Sequence, residues 1–555
     1  MSKPIAADVI IIGSGPVGLV LAMDMAMRGV DVVVLETRTV GEAPSPKCNH
    51  VSARTMEFLR RLGAAERIRK VGLPTDYPQD VVFCTSLTGY ELGRVDIPSA
   101  DKRGVEIDGP DGWWPTAEPP HRANQLFVES ILMEQAIRMK NVRVFNRTSY
   151  VKHTQDHRGV RVEAEDLITG KTLEFSGSYM VGCDGGRSPV RKSIGSKFFG
   201  TDVVQRVQST QIMAPGLREL ASVDPAWMYI SANPRRFGTV VSIDGADRWL
   251  IHNYLYREKD FDEVDREWAI RTIIGLDDDF KFEIISNEDW IGRRLVADSF
   301  RDRRVFICGD ASHLWIPMAG YGMNAGIADA TNLSWMLSAV IAGWGDPDML
   351  DAYELERQPI TEQVSKYAMD IATRSFDQRG HLPEAIEQPG PEGDAVRKEI
   401  GQSLYDVNVN QFCCGGLNFG YFYDNSPILA YDGEEPPAYT MYDFVQSTVP
   451  GCRAPHVWMP EGDPLYDRLG MGYSIVRTDP DADVASLLAA AEARGMPIRL
   501  VDLDKATAAD VYTKPLTIVR PDLHVFWRGE MVPAKPEELV DLMCGKSRIK
   551  QKNIA

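Results

Sequence analysis

The stretch Val9-Ile10-Ile11-Ile12-Gly13-Ser14-Gly15-Pro16-Val17-Gly18 decides the fold. Residues 7–12 are a short β-branched run, three glycines follow at G-x-G-x-x-G spacing, and residues 19–27 read as a helix that is apolar nearly all round. Gly29 closes that helix and residues 31–35 read as a second buried strand, which makes a βαβ unit. Gly13 permits the sharp turn, Gly15 lets backbone approach a pyrophosphate, Pro16 opens the helix, and Gly18 lets helix and strand pack closely. The helix N-terminus offers unsatisfied N–H groups and the positive end of its dipole to phosphates. Glu36 ends the second strand, placed to accept from adenosine ribose hydroxyls, and Thr37 and Arg38 belong to the same nucleotide-binding turn. The Glu36 carboxylate disfavours a ribose 2′-phosphate by charge repulsion. By itself the motif does not separate NAD from FAD.

Two further glycine segments lie far along the chain, Val181-Gly182-Cys183-Asp184-Gly185-Gly186-Arg187-Ser188 and Val305-Phe306-Ile307-Cys308-Gly309-Asp310-Ala311. Each reads as a place where backbone nears a bound dinucleotide. Their occurrence together, in this order, points to FAD and away from a loosely held nicotinamide.

At 555 residues the chain suits two or three domains, and its 44% hydrophobic content is ordinary for a globular protein. A formal net charge of -18 repels polyanions, and no basic run is present, so no nucleic-acid partner is expected. Residues 9–27 are apolar but interrupted by Gly13, Gly15, Pro16, Gly18 and Asp24, which excludes a spanning helix there. Asp8, Asp24 and the lack of a basic start beyond Lys3 argue against a signal peptide, so a cytoplasmic protein without a membrane partner is expected. The eight cysteines are scattered, without C-x-x-C or zinc-like pairing, which reads as free thiols and no metal. That pattern removes the flavin-disulfide reductases, which need a redox-active pair.

The organisation is α/β. A Rossmann-like cofactor domain is assembled from non-contiguous pieces, 1–80, 121–200 and 292–376. A mixed β-sheet substrate domain comes from 81–120 and 201–291, strand-rich with aromatics such as Trp227, Tyr229, Phe237, Trp249, Tyr254 and Tyr256. Residues 377–430 read as a linker and helical segment, with 378–394 as a polar loop, and 431–555 as a small separate α/β unit.

Residues 179–191 resemble the "DG" fingerprint, and 304–317 the "GD" fingerprint, of group A FAD-dependent aromatic hydroxylases, the flavoprotein monooxygenases that include phenol 2-hydroxylase. In that family the Asp matching Asp310 holds the ribityl chain of FAD, and the segment matching Gly320-Tyr321-Gly322-Met323-Asn324 starts a helix aimed at the flavin pyrimidine edge, where backbone N–H groups and a helix dipole stabilise the reduced, anionic ring. Asp184 belongs to the DG segment's cofactor contacts. Arg54 resembles the family arginine near the FAD phosphates, and Gln125 the flavin-contacting glutamine. Residues 450–458 and 519–525 look like the thioredoxin-like third domain of the phenol hydroxylase and 2-hydroxybiphenyl monooxygenase branch. Without a cysteine pair that domain is expected to be structural or oligomer-forming, and a homodimer is the expected assembly.

The resemblance implies NAD(P)H and O2 as co-substrates, and oxygen transfer from a flavin C4a-hydroperoxide to an electron-rich arene. Pro317 falls where the family places a proline facing the oxygen-transfer side of the flavin. A phenol needs a base or hydrogen-bond acceptor. Relatives carry a histidine in the loop before the arginine matching Arg54, where Asn49 and His50 both compete for the place. His252, Tyr229 and Tyr254 are further candidates on the substrate sheet. His313 follows the GD motif either as support for the flavin loop or as a proton handler. Trp227, Trp249 and Trp315 could form an aromatic cage. The favoured substrate is a substituted phenol or catechol, with displacement of a ring substituent such as nitro as one form of the reaction. A bulky polycyclic or polyketide arene is the alternative, and a non-catalytic FAD electron-transfer protein is the reading from another class.

Overall fold

One parallel sheet brings the three glycine segments to a common edge. Val9–Ile12 pairs with Val32–Leu35 on one side and Tyr179–Gly182 on the other, Tyr179–Gly182 pairs with Val305–Ile307, and Val142–Phe145 extends the sheet past Val32–Leu35. The register sets Ile12, Gly182 and Ile307 side by side. Three neighbouring strands therefore end at one level and turn into residues 13–18, 183–188 and 308–311. This is the computed structural model, and it describes residues 3–546 except 107, 256, 257, 259, 380, 381 and 509, so Tyr256 lies outside the described residues.

The helix Pro16–Met27 has no polar face because it is covered from both sides, by the sheet and by the helix Gly322–Ile341. A Cβ built on Gly326 would stand 2.6 Å from Val17 Cγ2, so glycine is what lets these helices cross so closely. Asp24 is the one charge in the first helix, and Arg28 (3.1 Å), Arg61 (3.0 Å) and Ser334 bind it. Burial raises its pKa, but the two arginines and the hydroxyl outweigh that and hold the carboxyl below its usual range.

A nine-stranded sheet carries the second half of the architecture, with the order His313–Trp315, Trp290–Ala297, Phe198–Met213, Arg248–Leu255, Gly238–Ser242, Met228–Ser231, Val81–Cys84, Glu91–Val95, and Glu283–Asn287 also paired to Phe198–Met213. Its two faces are covered by different helices. Val82, Tyr229, Val240, Trp249 and Ile251 pack under Arg266–Ile274, while Phe83, Trp227, Val241 and Leu250 pack toward Pro391–Phe412. The strand His313–Trp315 follows the third glycine segment directly, so the two sheets share a junction at the cofactor loop.

The loop expected over 378–394 is shorter. One helix runs to Arg379 and another starts at Pro391, where Gly390 (φ 90°) makes the turn and Pro391 takes the first helical position. Between them Ile386 is buried in the nine-stranded sheet's core, so this segment is packed and not a solvated linker.

Near the C-terminus a four-stranded sheet runs Ile498–Asp502, Tyr473–Arg477, Leu516–Val519, Val525–Gly529, the first two parallel and the others antiparallel in turn. With the helices Ala485–Ala493 and Pro536–Met543 this is thioredoxin-like topology. Among the described residues no helix is long and apolar enough to cross a membrane.

Buried histidines give the fold a pH signature. Burial, with neighbouring arginines, pushes His121 down to about 3, and burial pushes His252, His456 and His524 down to about 4. A histidine with a folded pKa below its unfolded value of about 6.5 binds its proton first in the unfolded state, so its stabilisation is complete above about pH 6.5 and is lost as pH falls toward 4. Denaturant unfolding between pH 7 and 5 should lose up to about 1.4 kcal/mol per pH unit per histidine, and His456→Gln should flatten that slope.

Candidate active site

The first glycine turn is built for close contact on one side and open on the other. Gly13 has φ 101°, and a Cβ there would lie 2.4 Å from the Cys183 carbonyl oxygen. A Cβ on Gly18 would lie 2.1 Å from the Gly13 oxygen, whereas one on Gly15 meets no protein atom within 4 Å. Gly15 is the N-cap of the first helix, Pro16 opens that helix, and no side chain caps it. Its N–H groups thus face the side on which Gly15 has no Cβ. Glu36 accepts from the Ser14 amide (2.9 Å), the Ser14 hydroxyl (2.6 Å) and the Arg38 amide (2.9 Å), and Thr37 Oγ1 reaches it at 3.3 Å. Burial raises the Glu36 pKa, but Arg38 and Ser14 bring it down to about 2, so it is a fixed acceptor. Arg38 also pairs with Glu129 at 2.6 Å, and Glu129 accepts from the Gln125 side-chain Nε2 at 3.3 Å.

The second and third glycine segments are tied together by Arg191, which donates to the Gly186 and Ala311 carbonyls at 3.1 Å each. Asp184 caps its own loop, accepting from Ser188 Oγ (2.5 Å) and the Val190 amide (3.0 Å). Asp310 presents an accessible carboxylate deep in the protein. Burial raises its pKa, with His313 and Lys47 pulling the other way. Lys47 is therefore a cation beside this site, one that escapes sequence reading because a lone lysine in a loop has no pattern.

Asn324 laces three segments. Its Nδ2 donates to the carbonyls of His50 (3.0 Å) and Gly320 (2.8 Å), and its Oδ1 accepts from Ser52 N at 2.9 Å. The Gln125 amide donates to the Cys48 carbonyl (2.7 Å), and Val51 bridges to His121. Gly320 has φ 61°, and a Cβ there would press on His50 Cβ at 3.1 Å. Gly322 and Met323 open the 20-residue helix Gly322–Ile341, which no side chain caps. A Cβ on Gly322, like one on Gly15, meets nothing within 4 Å. Two uncapped helix N-termini with open glycines, a fixed carboxylate acceptor and a tied pair of glycine loops fit FAD, whose pyrophosphate and anionic reduced ring need backbone N–H donors. Pro317 is exposed beside buried Ile316 in the loop before that helix.

Several expected roles do not survive the geometry. The Arg54 guanidinium is committed to other partners, Glu57 (3.0 Å) and the Asp522 carbonyl (2.6 Å), over the Phe58 ring. His50 is a poor base: its Nδ1 meets Arg122 Nη1, and burial together with Arg122 and Arg103 holds its pKa well below 6.5. Asn49 Oδ1 already accepts from Asn124 at 2.6 Å. Tyr229 and Trp249 lie on the sheet face under Arg266–Ile274, the Tyr229 hydroxyl accepting from the Ala226 amide at 2.7 Å. The three tryptophans form no cage, since Trp227 is wedged against Phe412 under Arg122 and Trp315 stacks on His313 at 4.6 Å. His313 is buried with Nε2 on Asp329 at 2.6 Å, which itself takes Arg357 at 2.7 Å, and this favours the supporting role for that histidine.

The strand register collects a different set. Gln205, Val207 and Ser209 share a sheet face with Trp290, Gly292, His252 and Tyr254, opposite the face that carries Trp249. On that face the Gly292 position lies against Ile316 (3.2 Å from a built Cβ), so Gln205, paired with Gly292, sits under the loop that carries Pro317. Gln205 is 4% exposed and both its amide atoms lack partners, as does His252 Nδ1. Tyr254 Oη and Thr239 Oγ1 meet at 3.1 Å. Gln205 was hidden in the sequence because polar residues occupy both faces of residues 205–211.

This fold and site define a flavin-binding α/β enzyme. Residues 6–368 match the family described as FAD binding domain. An FAD-dependent monooxygenase of Emericella nidulans is 31% identical over 95% of this chain and 88% of its own, and phenol 2-monooxygenase of Pseudomonas sp. (strain EST1001) is 27% identical over 98% and 93%. The rebeccamycin biosynthetic enzyme RebC, solved with reduced flavin, superposes with TM-score 0.89 at 31% identity over 98% of this chain and 100% of its own. The chain belongs to the group A FAD-dependent aromatic hydroxylases and is a flavoprotein aromatic monooxygenase.

The two open and closed glycines make separable predictions. Gly18→Ala should lower the stability of FAD-free protein by about 1–3 kcal/mol through overpacking. Gly15→Ala should leave it within about 0.5 kcal/mol, while weakening FAD about tenfold or more because the methyl enters the space backbone leaves for phosphate. Thermal melts of apoprotein and flavin-fluorescence titrations check both.

Proposed function

We propose that the protein hydroxylates a substituted phenol or catechol with consumption of NAD(P)H and O2, including displacement of a ring substituent such as nitro, and that it acts as a cytoplasmic homodimer. The observation that supports an arene substrate is the face beneath Ile316, where aromatic and aliphatic side chains surround two unpartnered polar groups, Gln205 and His252 Nδ1. FAD, when bound, supplies the redox and oxygen-activating chemistry. The chain's own residues hold and shield the arene. Ile316 covers the sheet at Gly292, and Trp290, edge-on to His252 at 6.2 Å, makes that side apolar, which limits water beside the arene. His252, kept neutral by burial at about 4, acts in this reading as the hydrogen-bond acceptor for a substrate hydroxyl at Nδ1 and does not store the proton.

One spacing favours keeping the polycyclic reading beside the monocyclic one. His252 lies opposite Ser209, four residues along the strand from Gln205, which is about 13 Å of extended chain. A single ring meets one of the two groups, and a fused polycycle meets both.

A panel of phenols, catechols and polycyclic hydroxyarenes, screened for stimulated NADH and NADPH oxidation with product mass checked for one added oxygen, tests the activity; absence of any stimulated turnover would sink it. Gln205→Leu and His252→Phe then sort the readings. With a monocyclic substrate one of them raises KM, by about 2- to 10-fold for a lost hydrogen bond, and with a polycyclic substrate both do. Sedimentation reads the dimer directly.

A further inference from the structure

The segment Arg520-Pro521-Asp522 of the C-terminal unit is fully buried and is gripped by side chains from the FAD-binding part of the chain. Arg520 donates to both oxygens of Glu356 (2.6 and 2.9 Å) and to both of Asp522 (3.1 and 2.6 Å). Asn332, on the helix Gly322–Ile341, donates to Glu356 at 2.7 Å and to Asp522 at 3.2 Å. From the other side Arg61 and Arg54 donate to the Pro521 carbonyl (2.5 Å) and the Asp522 carbonyl (2.6 Å). The residue after Glu356 is Arg357, which binds Asp329 at 2.7 Å, and Asp329 binds His313 at 2.6 Å, three residues past Asp310. The links that join Arg520, Asn332, Glu356 and Asp522, and those that join Arg357, Asp329 and His313, are buried and charge-assisted, so losing one partner strands the other in the interior and neighbours must shift.

We propose that residues 520–522 are a positioning element for the FAD site: by clamping Glu356 and Asn332 they set how Gly322–Ile341 lies against Ala352–Arg379, and through Arg357, Asp329 and His313 they set the loop that carries Asp310. The C-terminal unit then tunes flavin binding without touching flavin. The element acts on FAD and is independent of which arene is hydroxylated.

The full-length protein tests this. Arg520→Gln should weaken FAD binding about tenfold, within the usual range of coupling between sites, and shift the flavin midpoint potential, with Arg520→Lys between it and the parent because the charge returns without the bidentate fork. Arg528→Gln serves as control: Arg528 binds Asp432, Glu434 and Thr448, outside this chain of contacts, and should leave FAD affinity unchanged. Coupling is reciprocal, so FAD added to the unaltered apoprotein should slow amide exchange at residues 523–525, a measurement that holds even if Arg520→Gln does not fold. Parental FAD affinity and potential in a folded Arg520→Gln, or exchange at 523–525 indifferent to FAD, overturns the proposal.

Discussion

Everything in this molecule is arranged around bringing backbone N–H groups to a polyanion inside a protein that is itself strongly acidic. A net charge of -18 gives no general attraction for a pyrophosphate, so attraction has to be local. Three parallel strands ending at one level and two helices with uncapped N-termini supply it. The acidic side chains of the glycine segments are compatible with this because each has a separate use: Glu36 is fixed by Ser14 and Arg38, Asp184 caps its own loop, and Asp310 alone remains open to the site. Packing enforces the arrangement, since the glycine contacts around Gly13, Gly18 and Gly326 leave no room for a methyl group.

The parts legible in the sequence are those coded by local steric demand. Gly13, Gly15 and Gly18 announce a turn because nothing else fits it, and parallel pairing follows from continuous β-branched runs such as Val9–Ile12 and Val32–Leu35. What was not legible depends on register or on distant partners. Tyr229 and Met228 differ only in which way one strand presents them, and a strand that is apolar on both faces does not reveal this. Arg54 has the right neighbours in sequence to be a phosphate ligand, yet its partner is the carbonyl of Asp522, 468 positions away. The helix beginning at Pro391 carried a readable start, glycine then proline with Glu392 and Asp394 in the first turn, and the polar composition masked it.

Charge buried at the junction of the C-terminal unit explains what the hydrophobic core cannot. Apolar packing is non-directional and would tolerate sliding of one unit on another, whereas Arg520 forked onto Glu356 and Asp522, or Arg453 onto Glu57, has one geometry. Such pairs add little net stability once desolvation is counted. Their effect is to make alternative dockings costly, which suits a unit that has no cysteine pair for redox work.

The face proposed for the substrate follows the opposite rule. The polar groups that the register collects on this face, Gln205, Ser209, Thr239 with Tyr254, and a His252 held unprotonated by burial, are neutral. His50, which could have brought a proton acceptor close, is instead committed to Arg122 and kept neutral by burial and by that arginine. In the proposed reaction a phenol on this face meets His252 as an acceptor that shares its proton through a hydrogen bond and does not remove it. In that proposal the ring gains electron density by the sharing, and the same low polarity that makes His252 a weak base makes its hydrogen bond stronger than it would be in water.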